Sequence, residues 1–183
     1  MGLLSRLLKR PSDDRARIRP LWHRTVELAR DPRWYAGPER NGGGVADTVP
    51  GRFDAITLVL CAVLLRMERE NALVEPSVRL TELFVDDMDG QLRESGVGDL
   101  VVGKHMGKLM SVLGGRLGAL REALPQPDDT ALVEAIARNI TFGENAAPAR
   151  VAALLRGFAA TLEATGADDL LAARIDLPES TAS

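Results

Sequence analysis

Residues Phe84 to Lys108 read FVDDMDGQLRESGVGDLVVGKHMGK: an acidic helical segment, a glycine break, then a basic segment striped with glycine. Stepping 100° per residue from Leu80, the side chains of Leu80, Leu83, Phe84, Val85, Met88 and Leu92 cover about 200° of a helical wheel. Asp86, Asp89 and Arg93 face away from that arc. Asp87 falls inside it, where a carboxylate requires a partner; Arg52, Lys104 and Lys108 are the candidates.

From Leu100 to Arg121 a second helix is expected, with a core stripe of Val102, Met106, Leu109, Met110, Leu113, Leu117 and Leu120. Gly103, Gly107, Ser111, Gly114 and Gly118 fall together in a side-chain-poor arc of about 80° on the same wheel. Each helical glycine gives up about 0.8 to 1 kcal/mol relative to alanine. Close approach of another backbone would compensate, because only small residues permit it. That backbone belongs either to this chain or to a partner, and Lys104 and Lys108 border the stripe one turn apart.

Two motif look-alikes in this stretch fail on chemistry. If Gly90 in DDMDG were the sixth residue of a calcium loop, the first and twelfth would be Val85 and Gly96, neither of them a ligand. GDLVVGKH at 98–105 matches G-x-x-x-x-G-K, yet His105 stands where Ser or Thr must hold magnesium, and a helix rather than a strand precedes it. With no metal cage, nucleophile set or phosphate loop, the stretch reads as a binding surface. No catalytic residue, metal or cofactor is assigned.

The 183-residue length fits one domain, and 45% hydrophobic with 27% charged residues is ordinary for a globular protein. Aromatics are only 4%, while Leu, Ala, Arg and Glu are frequent, which favours helix over strand. A single cysteine, Cys61, and two histidines, His23 and His105, exclude an intrachain disulfide and a Cys/His zinc site. The net charge of −3 conceals an asymmetry: seven Arg and Lys against Asp13 and Asp14 make residues 1–25 +5, leaving −8 for the remainder.

Residues 1–17 are expected to form a basic arm, in which MGLLSRLLKR makes a short amphipathic helix stopped by Pro11 and suited to weak adhesion to anionic lipid or RNA. Ile18, Leu21, Trp22, Val26 and Leu28 begin the helical domain, which extends to Arg174. Three consecutive glycines make RNGGG, 40–44, a flexible loop by composition. Asp47 or Thr48 then caps a helix from Arg52 to about Asn71 that is apolar on nearly every side and therefore central. Later helices carry the stripes Leu132, Ile136, Ile140 and Val151, Leu154, Leu155, Phe158, Leu162. A short helix spans 168–174, and residues 175–183 are expected to be a disordered tail. The sum is an all-α, single compact domain of about six to seven helices with flexible termini.

GVADTVPGRFD at 44–54 and LFVDDMDGQLRESGVGDLVVGKHMGKLMSVLGGR at 83–116 resemble the ubiquinol–cytochrome c chaperone family, over roughly residues 34–164. The resemblance carries over Asp47, Arg52, Phe53, Asp54, Asp86, Asp87, Asp89, Arg93, Gly96, Gly98, Asp99 and Lys104. It implies a non-enzymatic helical protein that binds newly made cytochrome b during assembly of respiratory complex III. Mitochondrial members also work at the ribosome exit with a small co-chaperone. No mitochondrial leader is evident here, so the expectation is a bacterial form in the cytoplasm, peripheral to the inner membrane. Its partner-binding surface would comprise Asp86, Asp87, Asp89, Arg93, Lys104, Gly107, Lys108, Ser111 and Gly114.

Overall fold

A computed structural model describes residues 11–94 and 99–179, with side chains described for 15–90 and 107–179. Among these residues the chain forms α1 (Pro11–Leu28), α2 (Pro32–Tyr35), α3 (Val49–Met67), α4 (Val74–Glu94), α5 (Asp99–Ala123), α6 (Thr130–Asn139), α7 (Pro148–Ala164) and α8 (Ala167–Leu171). Six of the eight have ten or more residues. The only extended pairing among the described residues is an antiparallel bridge between Val45 and Phe142. The all-α expectation holds.

Helix α3 is the axis of the fold. Ala55, Val59, Leu60, Cys61, Val63 and Met67 are all essentially buried, and α1, α4, α5 and α7 pack around it. Apolar burial on every side is what its sequence required. Thr48 caps it through its hydroxyl, which accepts the Gly51 N–H at 3.4 Å, while Asp47 turns to Arg52 instead. On α6 and α7, Leu132, Ile136, Val151, Leu155, Phe158 and Leu162 are buried where their spacing placed them. At the start of α6 Asp129 occupies the cap position, and the Asp128 carboxylate accepts the Thr130 N–H at 2.9 Å.

Three expectations need correction. The helical domain starts before Ile18: Pro11 opens α1, since a proline fits the first turn, where its missing N–H has no intrahelical role. Residues 15–17 thus belong to the folded domain; 1–10 lie outside the described residues. The RNGGG loop is not loose: Gly42, Gly43 and Gly44 are buried. Their N–H groups donate to the carbonyls of Gly37, Arg33 and Ala36 at 3.1, 2.9 and 2.9 Å. A Cβ at Gly42 would fall on the Ala36 carbonyl oxygen, and Gly44 has φ +69° with the Asn145 carbonyl against it. The glycines are there for close approach, and the contacts offset the entropy that composition alone counts against them.

The tail is the third. Ile175 and Leu177 are buried, and Pro178 lies against Gly157. Arg24 donates to the Ile175 carbonyl at 2.9 Å, and Arg33 to the Pro178 carbonyl at 2.6 Å. Two alternate apolar side chains inside and two guanidinium clamps outside fix an extended strap, so the ordered chain continues past Arg174.

Candidate functional site

Helices α1 and α4 meet along a seam of charge. Arg15 on α1 reaches Glu82 at 3.0 Å and Asp86 at 2.8 Å. Arg79 reaches Glu75 at 2.7 Å and Glu82 at 3.2 Å, continuing the ladder along α4. Beneath it, Trp22 and Phe84 pack edge to face with ring centroids 6.0 Å apart. Phe84 also meets Phe53 at 6.3 Å. Aromatic packing positions α4 on α1, and the ion pairs stitch its rim.

The partner of Asp87 is the Trp22 indole N–H, not Arg52, which is taken by Asp47 at 2.7 Å. Lys108 is exposed, and the Lys104 side chain lies outside the described residues. A neutral indole satisfies a carboxylate at the edge of the apolar arc without a second charge. Asp86 and Asp87 are exposed, whereas Asp89 is half-buried rather than facing away. Contact of α4 with both α1 and α5 covers more of its circumference than its hydrophobic arc alone implies. The side chains of Arg93, expected on the same surface, and of the motif residue Asp99 are outside the described ones, and the motif residues Gly96 and Gly98 lie outside the described residues altogether.

On α5, Gly107, Lys108, Ser111 and Gly114 are exposed together. A Cβ built at Gly107, Gly114, Gly115 or Gly118 would have no atom within 4 Å. None of the described residues therefore supplies a closely approaching backbone at those positions. Met110, expected in the core stripe, is 44% exposed, while Leu113 and Leu120 of that stripe are buried. Val102 and Met106 lie outside the described side chains.

Met110 forms one wall of an open cleft of about 490 Å³ whose other sides include Arg15, Val78, Glu82, Val85 and Asp86. The cleft has an apolar floor and a charged rim. On the α5 wheel Met110 lies within about 40° of Gly114, so the cleft and the small-residue flank adjoin.

The 44–54 motif supports the site from inside. Asp54 and Arg116, 5% and 8% exposed, form a buried ion pair joining α3 to α5. Arg116 also donates to the Thr57 hydroxyl and, at 2.6 Å, to the Asn139 carbonyl, with its guanidinium 5.7 Å over the Phe53 ring. The second Asp54 oxygen accepts the Thr141 N–H at 2.8 Å. Thr141 in turn offers its carbonyl to the Ala46 N–H at 2.9 Å. One network thus ties α5, the end of α6 and the glycine loop to the central helix. Arg116 was not singled out from sequence, although it closes the 83–116 stretch. The signal was available: Asp54 and Thr57 sit in an otherwise apolar helix, and buried polar groups require partners.

One perturbed titration lies on the cleft: hydrogen bonds from Arg79 and Arg15 hold the Glu82 carboxyl below its usual range. Burial pushes the Cys61 thiol up to about 12, leaving it protonated and unreactive. Arg52 holds the exposed Asp47 carboxyl below its usual range. Among the described residues no three His, Cys, Asp or Glu side chains gather where one metal ion would touch them. The geometry offers shape, apolar contact and fixed charge.

The comparisons with known proteins agree with this construction. A family model described as ubiquinol-cytochrome C chaperone matches residues 41–177. A solved structure, described as the crystal structure of the Cbp3 homolog from Brucella abortus, is similar with a TM-score of 0.79 and 30% identity over 97% of each chain. No curated protein sequence matches the chain. The family match covers the glycine loop, the buried Asp54–Arg116 network, the acidic helix and the bare flank of α5, and the chain belongs to the ubiquinol–cytochrome c chaperone family.

Proposed function

We propose that this chain is an assembly chaperone for ubiquinol–cytochrome c reductase and that it acts by reversibly binding newly made cytochrome b, with no bond made or broken. Membership of the family supports the first part, as does likeness to a Cbp3 homologue across nearly the whole length. The observation that carries the second is the exposed flank of α5. Gly107, Ser111 and Gly114 present bare backbone beside an apolar-floored cleft. A helix of a membrane-protein client packs best where side chains are small, since van der Waals contact is then unobstructed.

In this reading Asp86, Asp87, Asp89, Arg93, Lys104 and Lys108 supply the charged part of the same surface. None of the described helices is long and apolar enough to cross a membrane. A chain of this kind reaches its client peripherally, at the cytoplasmic face of a bacterial inner membrane, with the basic residues of 1–25 adding salt-sensitive adhesion. Contact with the ribosome exit and with a small co-chaperone belongs to this reading as a way of meeting the client early.

The test is a photo-crosslinker placed at Ser111 in cells making the complex, with captured proteins identified by mass spectrometry. Cytochrome b in the adduct is the expected result. Adducts that lack it, alongside efficient crosslinking from a site on the opposite face such as Glu163, contradict the proposal.

A further inference from the structure

We infer that Arg15 is a built-in occupant of the cleft, which holds the acidic rim until a cationic amphipathic helix of the client displaces it. This rests on the reading of the cleft as part of the client surface, and it adds the chemistry of the segment recognised and the contact that regulates it.

The argument begins with an imbalance. Arg15 reaches two carboxylates, Glu82 and Asp86, from α1. Glu82 is also bonded to Arg79 on its own helix. Asp86 remains more than half exposed despite its pairing. Asp87 stands next to it with its side chain also in solvent. Glu75, Glu82 and Asp86 thus share two guanidiniums, Arg15 and Arg79, which neutralise them only in part.

Below the rim the surface is apolar. Val78 is 51% exposed and Met110 44%, which leaves two large apolar side chains facing water at the cleft mouth. A segment that suits both layers has aliphatic side chains toward Val78, Val85 and Met110, and Arg or Lys toward Glu82 and Asp86. An anionic or purely apolar helix suits only the floor and leaves the carboxylates desolvated.

Arg15 meets the same carboxylates from α1 that such a cation would meet from outside. Because both of its ion pairs are partly exposed, each contributes little to folding and is readily exchanged. The contact is a competitor within the molecule, set on the seam between α1 and α4.

The experiment uses the full chain and a labelled amphipathic helical peptide of about five turns, with leucines on one face and arginines on the other, followed by fluorescence anisotropy at low salt. A twin peptide replaces every arginine with glutamate. Arg15→Gln is expected to tighten the basic peptide by about two- to fivefold, the scale of an exposed ion pair. Arg15→Lys returns wild-type affinity. Glu82→Gln with Asp86→Asn weakens the basic peptide, and the acidic twin does not bind any form.

Equal or weaker binding by a folded Arg15→Gln variant overturns the inference, as does equal binding of the two peptides or no binding by any form. Met110→Asp separates the levels of the argument. If it abolishes peptide binding while Arg15→Gln has no effect, the cleft remains a docking site and only the role of Arg15 is lost. If Met110→Asp also leaves binding intact, the cleft reading itself falls.

Discussion

Asp54 on α3 and Arg116 on α5, 62 residues apart, form an ion pair buried from solvent; Arg116 also holds the carbonyl of Asn139, the last residue of α6, and Asp54 the N–H of Thr141 just beyond it. That arrangement sets the orientation of α5 and hence which of its flanks is left open. A buried pair of this kind is better evidence for fixed geometry than for large net stability.

Removing one partner is expected to be severe. Asp54→Ala leaves a buried guanidinium without its counter-charge and the Thr141 N–H without an acceptor, a loss of about 3 to 5 kcal/mol. Asp54→Asn with Arg116→Met removes both charges and leaves an oxygen for Thr141. Urea denaturation should show this pair of changes to be less destabilising than the sum of its two single changes by at least about 0.5 kcal/mol. Strict additivity would mean that the two side chains do not interact.

Two sets of glycines should respond in opposite directions. Gly44→Ala forces a side chain onto a residue at φ +69° and against the Asn145 carbonyl, so the melting temperature should fall. Gly114→Ala meets no atom within 4 Å and adds helix propensity, so stability should rise by about 0.8 to 1 kcal/mol. Differential scanning calorimetry of the two variants decides the matter. A destabilising Gly114→Ala would indicate a contact on that flank within the chain.

The single thiol should be silent in the native state. Burial raises Cys61 to about 12, so Ellman's reagent at pH 8 should label it only as fast as the protein opens. Immediate labelling without denaturant would contradict its placement inside α3.

Acid stability carries a signature of Asp31. Its side chain chelates Arg33 and accepts the Arg33 N–H at the start of α2, and these interactions hold its carboxyl below the ordinary value. A depressed carboxyl contributes stability that is complete above the unfolded value of about 3.9 and is lost as pH falls through the folded one. Between about pH 4 and pH 2, the melting temperature of the Asp31→Asn protein should therefore fall less steeply than that of the parent. Parallel slopes would remove the assignment.

Residues that pack along one helix face were legible in the sequence. Leu132 and Ile136 needed only their spacing, and α3 needed only its apolar surround. Features decided by the meeting of distant segments were not. That Pro11 starts a helix was not read from the sequence, because that helix is settled by α1 docking against α4. RNGGG reads as slack until Ala36, Val151 and Asn145 are brought against it. Asp87 was legible as needing a partner, yet Trp22 could be identified only from the crossing of two helices. The glycine stripe announced close approach, and no described residue supplies it at Gly107, Gly114 and Gly118.

The central claim is that the bare flank of α5 is kept open for cytochrome b, and one comparison tests it most directly. Gly107→Leu and Gly114→Leu variants are each measured for melting temperature and for co-purification of cytochrome b from cells assembling the complex. Both are expected to melt at or above the parent temperature, since a Cβ at either position meets no described atom within 4 Å, and both should lose the client. Folded variants that retain cytochrome b at the parent level would contradict the account.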